Sequence, residues 1–255
     1  MGNQHLVKQN RKHDDEYYTR YVDIENELSS YKEFFKGKIV YCPCDSKESN
    51  FVKYFQNNFD ELGLKKLNFS ARDFKSDKSI DTLVKSDIIV TNPPFSYIRE
   101  FVKLLIDNHK KFIFIGSRFL VTYVGIFPYI KNREFWVTKY NYRNAQKFES
   151  IDGRIKECRC YWYTNLGEYP TYPFIRSDIN YDSSINPMYT NYEAIEVRSF
   201  NAIPDDYNGL MGVPVSFVEK WNPDQFDLVD LARPWIGDRE LFKRFIIKRK
   251  SHSCK

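Results

Sequence analysis

Ser86-Asp87-Ile88-Ile89-Val90-Thr91-Asn92-Pro93-Pro94-Phe95 is the stretch on which the fold turns. Its apolar run is short, β-branched and bounded by polar residues, the pattern of a strand buried on both faces. The run stops at Pro93 and Pro94, which cannot donate to a sheet ladder and stiffen the chain. At that strand end Asn92 offers a side-chain carbonyl, and Pro93 offers a backbone carbonyl with no N–H beside it. Two acceptors can therefore converge on one amino group. Phe95 adds an apolar plate suited to a flat ring. A plain strand-to-loop turn also favours Asn-Pro, so the tetrapeptide alone does not decide between the two.

Around this run the apolar residues switch between helical and strand periods. Tyr17, Tyr21, Ile24, Leu28, Tyr31 and Phe35 recur three or four apart, which predicts an amphipathic helix from Glu16 that ends near Gly37. Residues 38–42 read as a strand. Asp45 followed three residues later by Glu48 forms a capping pattern, and Phe51, Phe55 and Phe59 continue it as a second helix. Further strands are predicted over residues 64–70, 87–91 and 112–116, and helices over residues 80–85 and 97–109. This alternation predicts an α/β sandwich on a mostly parallel sheet, in which ligands bind at the carboxyl ends of the strands.

Beyond residue 116 the alternation stops. Residues 134–140 and 157–164 read as two long strands separated by a polar loop with Asp152-Gly153, a candidate antiparallel hairpin at the sheet edge. Residues 166–190 are rich in Pro, Tyr, Ser and Asn without a period, which predicts a long surface loop or a boundary. Short strands are predicted over residues 194–200, 226–229 and 242–250. The chain thus divides into residues 1–165, opening with a mobile basic arm over residues 1–14, and a smaller β-rich region over residues 166–255.

A chain of 255 residues buries a sizeable core, as one large domain or as a catalytic domain with an appendage. A formal charge of +5 and a pI near 8.7 are compatible with a phosphate-rich partner but too mild to identify one. Aromatic residues make up 17% of the chain, enough for a thick core and for stacking platforms. The N-terminus lacks a continuous apolar segment and no apolar stretch is long enough to span a bilayer, so a soluble, cytoplasmic protein without a membrane partner is expected.

Five cysteines, an odd number, argue for reduced thiols. Cys42/Cys44 and Cys158/Cys160 form C-x-C pairs, but structural zinc sites use wider spacings and free Cys commonly behaves as a small buried hydrophobe. No metal is expected. The final run carries Lys243, Arg244, Lys248 and Arg249, which fits either a solvated edge strand blunted by cations or contact with a DNA backbone.

Asn92-Pro93-Pro94-Phe95 resembles the catalytic motif of amino-methyltransferases that use S-adenosylmethionine. The Gly-rich turn usual after the first strand of such enzymes is absent: no glycine lies between Gly37 and Gly63, and Tyr41-Cys42-Pro43-Cys44-Asp45 takes its place. That segment, within IVYCPCDSKESNFVKYF (39–55), resembles the variant first motif of the EcoRI-type adenine-specific DNA methyltransferases. DEYYTRYVDIENEL (15–28), RDFKSDKSIDTLVKSDIIVTNPPFSYIREFV (72–102), KKFIFIG (110–116), KFESIDGRIKEC (147–158) and MGVPVSFVEKWNPDQF (211–226) resemble the same family, so the likeness covers most of the chain.

The resemblance implies a Rossmann-like S-adenosylmethionine-dependent methyltransferase sandwich. It also implies a site-specific DNA adenine-N6 methyltransferase, of restriction-modification type or an orphan, acting on a flipped adenine. Asn92, Pro93, Pro94 and Phe95 are then the catalytic residues. Tyr18, Thr19, Cys42, Pro43, Cys44, Asp45 and Asp73, with Asn92, form the cofactor site. Each has an alternative: Asp45 as a helix cap, Tyr18 in packing, Asp73 as a cap or surface ion pair. The acidic residue usual at the end of the second strand is not evident. Residues 166–255 become the target-recognition region, with Tyr169, Tyr172, Arg176, Arg198, Lys220 and Lys243 as candidates and Lys243, Arg244, Lys248 and Arg249 on the DNA backbone. The implied partner is double-stranded DNA, bound by a monomer, with a cognate restriction endonuclease encoded nearby and no stable complex between the two. Methylation of RNA or of a protein glutamine shares this chemistry, although glutamine-directed enzymes typically carry Tyr at the position of Phe95. A non-catalytic DNA-binding relative is a third reading, motivated by the missing glycines.

Overall fold

In the computed structural model, which describes residues 17–71, 73–139, 146–150 and 152–251, the chain opens with β1 (Tyr17–Thr19) and helices α1 (Tyr21–Leu28) and α2 (Lys32–Phe35). The basic arm expected over residues 1–14 lies outside the described residues. Then come β2 (Ile39–Cys42), α3 (Asn50–Asn57), β3 (Lys66–Phe69), α4 (Asp77–Val84), β4 (Ile88–Thr91), α5 (Ile98–Asp107) and β5 (Lys111–Ser117). They are followed by α6 (Phe127–Lys131), β6 (Trp136–Val137), β7 (Gln146–Ser150), β8 (Ile155–Cys158) and β9 (Cys160–Thr164). The last six strands are β10 (Ile195–Glu196), β11 (Leu210–Pro214), β12 (Phe226–Ala232), β13 (Trp235–Ile236), β14 (Arg239–Glu240) and β15 (Arg244–Arg249). The result is a mixed α/β protein with several sheets. Among the described residues no helix is long and apolar enough to cross a membrane.

The chain forms two compact units, one built on residues up to Arg118 with the segment that ends at Glu168, the other on Phe119–Lys139 and the chain from Tyr169 onward. In the first unit β3, β2, β4 and β5 lie side by side and parallel, and β9 adds antiparallel to β5, pairing Ile113 with Thr164. Helices α3, α4 and α5 make the crossovers that parallel strands require. All four residues of β4 are buried, as its unbroken apolar run demands. Val40, Ile88, Val90, Ile113, Ile115 and Trp162 from the strands pack with Phe51 and Phe55 of α3 in one core. From β2 the chain runs outward to β3, then crosses back to β4 on the other side of β2. The carboxyl ends of β2 and β4 therefore flank a topological switch point, where open sheets leave a crevice for ligands.

The first unit departs from sequence expectation in three places. The helix expected from Glu16 begins instead as β1, which pairs antiparallel with β7 (Tyr18 with Glu149), and Ser29–Tyr31 interrupt the helix as a 3-10 turn. A strand partner far along the chain overrides the local helical period. The cap of α3 is Ser49, whose side chain accepts from the Phe51 N–H, and not Asp45. Asp152-Gly153 does close a hairpin, with Gly153 at φ +81°, but the strands are β7 and β8, which join β1 in a separate three-stranded sheet.

In the second unit β10, β11, β15 and β12 form a sheet in which β15 runs antiparallel to both neighbours, Ile247 facing Met211 on one side and Leu228 on the other. The edge strand expected over residues 242–250 is thus an interior strand, with Phe245, Ile246 and Ile247 buried. Phe127 of α6 stacks on Phe245, ring centroids 5.9 Å apart. Strand β11 and the β13–β14 hairpin carry no clear alternating pattern in the sequence. Residues 165–194 hold no helix or named strand, as their composition predicts.

Candidate active site

The first unit places the turn after β2 beside the end of β4. Asp45, 6% exposed, accepts from the Ser49 hydroxyl through Oδ1 at 2.5 Å and from the Thr91 hydroxyl through Oδ2 at 2.6 Å. Burial pushes its carboxyl up to about 6, while the two hydroxyl donors pull the other way. Burial and the nearby Asp45 together push the Cys44 thiol up to about 12, and Cys42 is raised for the same two reasons. Both therefore stay protonated near neutrality, which argues against a nucleophilic role.

Asn92 follows Thr91 directly. Its Oδ1 is buried without a hydrogen-bond partner, as is Oγ1 of Thr19. An unmet buried acceptor costs about 1–3 kcal/mol, so such atoms point to a ligand that supplies donors. Both residues line a cleft of about 250 Å³ together with Tyr18, Cys44, Asp45, Ser46, Ser49, Phe51 and Ala71. Pro93 is buried behind the turn, and Phe95 is 36% exposed at the start of a 3-10 turn that closes with the Tyr97 N–H donating to the Pro94 carbonyl at 3.0 Å.

Five of the residues expected to hold a cofactor, Tyr18, Thr19, Cys44, Asp45 and Asn92, thus share one cleft. Cys42 belongs to the core and Pro43 is buried beneath the turn. Asp73 is exposed and accepts from the Lys75 N–H at 3.0 Å; it does not line the cleft, but its charge adds to the rise of the Cys44 thiol. A second cleft of about 600 Å³ opens at the ends of β2 and β3, and shares Ser46 and Ala71 with the first. Asn68, Phe69, Ser70, Lys78, Ser79 and Thr82 contribute to it, and the Tyr41 and Ser70 hydroxyls lie 3.3 Å apart. Sequence reasoning singled out none of these, because no motif marks them. The strand-end rule was the available signal.

In the second unit the cations expected on DNA have different surroundings. Arg244 is paired with Glu196, and Arg249 reaches Asp205 at 3.3 Å and the Pro204 carbonyl at 3.0 Å. The Lys243 ammonium donates to the Thr122 carbonyl at 2.7 Å, whereas Lys248 is exposed. Among the recognition candidates, Tyr169 packs on Trp221 and donates to its carbonyl and Tyr172 is buried, while Arg176, Arg198 and Lys220 are exposed. Phe242, 89% exposed, is an apolar side chain on this unit that the sequence reading overlooked.

A mostly parallel sheet whose switch point holds a buried carboxylate and an unsatisfied asparagine carbonyl beside a cleft defines an α/β protein with a candidate ligand cleft at its strand ends. The chain belongs to the family described as adenine-specific methyltransferase EcoRI, whose model matches residues 5–72 and 68–254. It is similar to Type II methyltransferase M.EcoRI of Escherichia coli, at 36% identity with 97% of each chain covered. It is also similar to Type II methyltransferase M.MgeORF184P of Mycoplasma genitalium, at 35% identity over 91% of this chain and 87% of the relative. Type II methyltransferase M.MpnI of Mycoplasma pneumoniae is 34% identical over 86% and 83%.

Proposed function

We propose that the protein methylates the N6 amino group of adenine in duplex DNA, with S-adenosylmethionine as donor, on a Rossmann-like methyltransferase sandwich in its first unit. The observation that carries this reading is the buried, unpartnered Asn92 Oδ1 in the cleft it shares with Asp45, in a chain of this family. An adenine amine supplies the donor that this acceptor lacks.

The cleft also fits the cofactor. Tyr18, Thr19, Cys44, Asp45 and Asn92 would hold its polar methionine half, with Cys42 and Pro43 shaping the turn from behind. The adjoining cleft at the ends of β2 and β3 has the size and the hydroxyl and amide groups for an adenosine half, and the Asp73 carboxylate, outside its lining, is the acidic group proposed for the adenine or ribose. When bound, S-adenosylmethionine supplies an electrophilic methyl group. Asn92 Oδ1 and the Pro93 carbonyl accept hydrogens from N6, which draws its lone pair out of conjugation with the ring. Pro94 keeps the turn rigid, and Phe95 packs on the base. Catalysis thus rests on placement and on acceptors preset for the positive charge growing on nitrogen, not on a strong base.

The target adenine must leave the helix to reach this cleft, at a cost of a few kcal/mol. Residues 166–255 are assigned the reading of the target, with Lys243, Arg244, Lys248 and Arg249 the basic run nearest the chain end. The relatives are Type II methyltransferases by name, which supports a restriction-modification role; in this reading the protein is a cytoplasmic monomer, and a cognate endonuclease, where present, acts independently. Purified protein given labelled cofactor with duplex DNA, RNA and protein in parallel tests the reading. N6-methyladenine in DNA is the expected product. Transfer only to RNA or to glutamine, or tight cofactor binding with no transfer, overturns it.

A further inference from the structure

We propose that Thr91 is a positioning residue: its hydroxyl ties Asp45 of the cofactor cleft to the strand end that carries Asn92, and so sets where the Asn92 acceptor sits. The proposal rests on the methyl-transfer reading above.

Strand β4 reads Ile88-Ile89-Val90-Thr91 and every residue is buried, Thr91 completely. A fourth aliphatic residue would fill the same space without a polar group to satisfy, and valine has nearly the shape of threonine. The buried hydroxyl therefore needs a reason. It donates to Asp45 Oδ2 at 2.6 Å, across 46 residues of sequence and across the switch point. The ladder between β2 and β4 holds only the pairs Val40–Ile88 and Tyr41–Ile89. Beyond them no ladder pair joins β2 to β4. The Thr91–Asp45 bond thus links the two strand ends past the last ladder pair.

Asp45 is itself fixed from its other side, since Oδ1 accepts from the hydroxyl of Ser49, the residue that caps α3. The frame that Thr91 grips is therefore rigid. Asn92, by contrast, has no partner for its Oδ1, so nothing in its own side-chain acceptor fixes its place. The backbone at residue 92 must do so, and the neighbouring anchored side chain is that of Thr91. Asp45 thereby joins cofactor side and acceptor side in one register.

The test compares Thr91→Val with Thr91→Ser in the full chain, once the wild type has been seen to transfer methyl to duplex DNA. Melting temperature, cofactor affinity by calorimetry, and kcat against pH are measured for each. Thr91→Val is expected to fold and to bind the cofactor as the wild type does, with kcat lower by roughly tenfold or more, the scale of a small misplacement of reacting groups. Thr91→Ser keeps the hydroxyl and is expected to restore most of the rate. The acid limb of kcat is expected to move to higher pH in Thr91→Val, because the lost bond no longer lowers the Asp45 carboxyl. The groups around that carboxyl are the Ser49 hydroxyl and the Cys42 and Cys44 thiols. Should the valine variant not fold, Thr91→Ala gives the same comparison. Unchanged kcat, loss of cofactor affinity in step with kcat, or no recovery with serine overturns the proposal. A wild type that transfers no methyl overturns the functional reading as well, so the two failures are distinct.

Discussion

Arg244 and Glu196 meet as a bidentate pair within the second unit, Nη2 lying 2.7 Å from Oε1 and Nε 3.1 Å from Oε2, with side chains 15% and 3% exposed. The Tyr189 hydroxyl donates to the same carboxylate. Arg244→Ala would strand this buried carboxylate, and the loss of one partner of a buried pair costs about 3–5 kcal/mol. A large fall in the urea midpoint is expected, with any loss of DNA binding following from unfolding. A variant as stable as wild type but weak on DNA would instead put Arg244 on the nucleic acid.

Lys248 is the exposed member of the basic run. Lys248→Ala is expected to leave stability unchanged and to weaken binding to any duplex. The log–log salt slope should drop by about 0.9 if one phosphate contact is lost. Filter-binding titrations at several salt concentrations measure it, and an unchanged slope removes Lys248 from the interface.

Asn92→Ala deletes the unpartnered acceptor. Turnover should fall by roughly 10²–10³, the scale seen when a preset polar group is removed from a reacting centre. Folding should be unharmed or improved, because an unsatisfied buried oxygen disappears. Rapid-quench transfer with calorimetry on the cofactor separates the two effects. Equal loss of cofactor affinity would show that Asn92 serves the cofactor instead of the base.

Asp45 gives a pH signature. Its carboxyl is pushed up to about 6 in the fold against 3.8 in ordinary surroundings, so between those values the folded state binds the proton more tightly than the unfolded chain. The stability it contributes is complete below pH 3.8 and is lost as pH rises through about 6. Relative to wild type, Asp45→Asn should therefore be favoured more near pH 8 than near pH 4, by roughly 1–3 kcal/mol. Thermal melts across that range read the difference, and a gap independent of pH contradicts the assignment.

Much of the first unit was legible in the sequence. The alternation over residues 38–117 located β2 to β5 and their crossover helices to within a few residues, because burial imprints its period on neighbouring side chains. The closing of β4 on Asn92-Pro93-Pro94 was legible for the same local reason. Strand β11 was not, since Gly212 and Pro214 break its pattern. The glycine is there because the Tyr189 ring lies against the position a Cβ would take.

What the chain determined by itself was its periods and its turn chemistry: a buried strand, a proline stop, and an amide acceptor placed where the strand ends. Tertiary structure alone decided which charges are used inside. Arg244 and Arg249 carry the same signature as Lys248 in a basic run, yet they meet Glu196 and Asp205, 48 and 44 residues away. Asp45 has the spacing of a helix cap, yet it accepts from Thr91 across the switch point. Local patterns are written by backbone geometry and burial. Long-range polar pairs depend on which strands become neighbours, and a single pattern of side chains does not encode that.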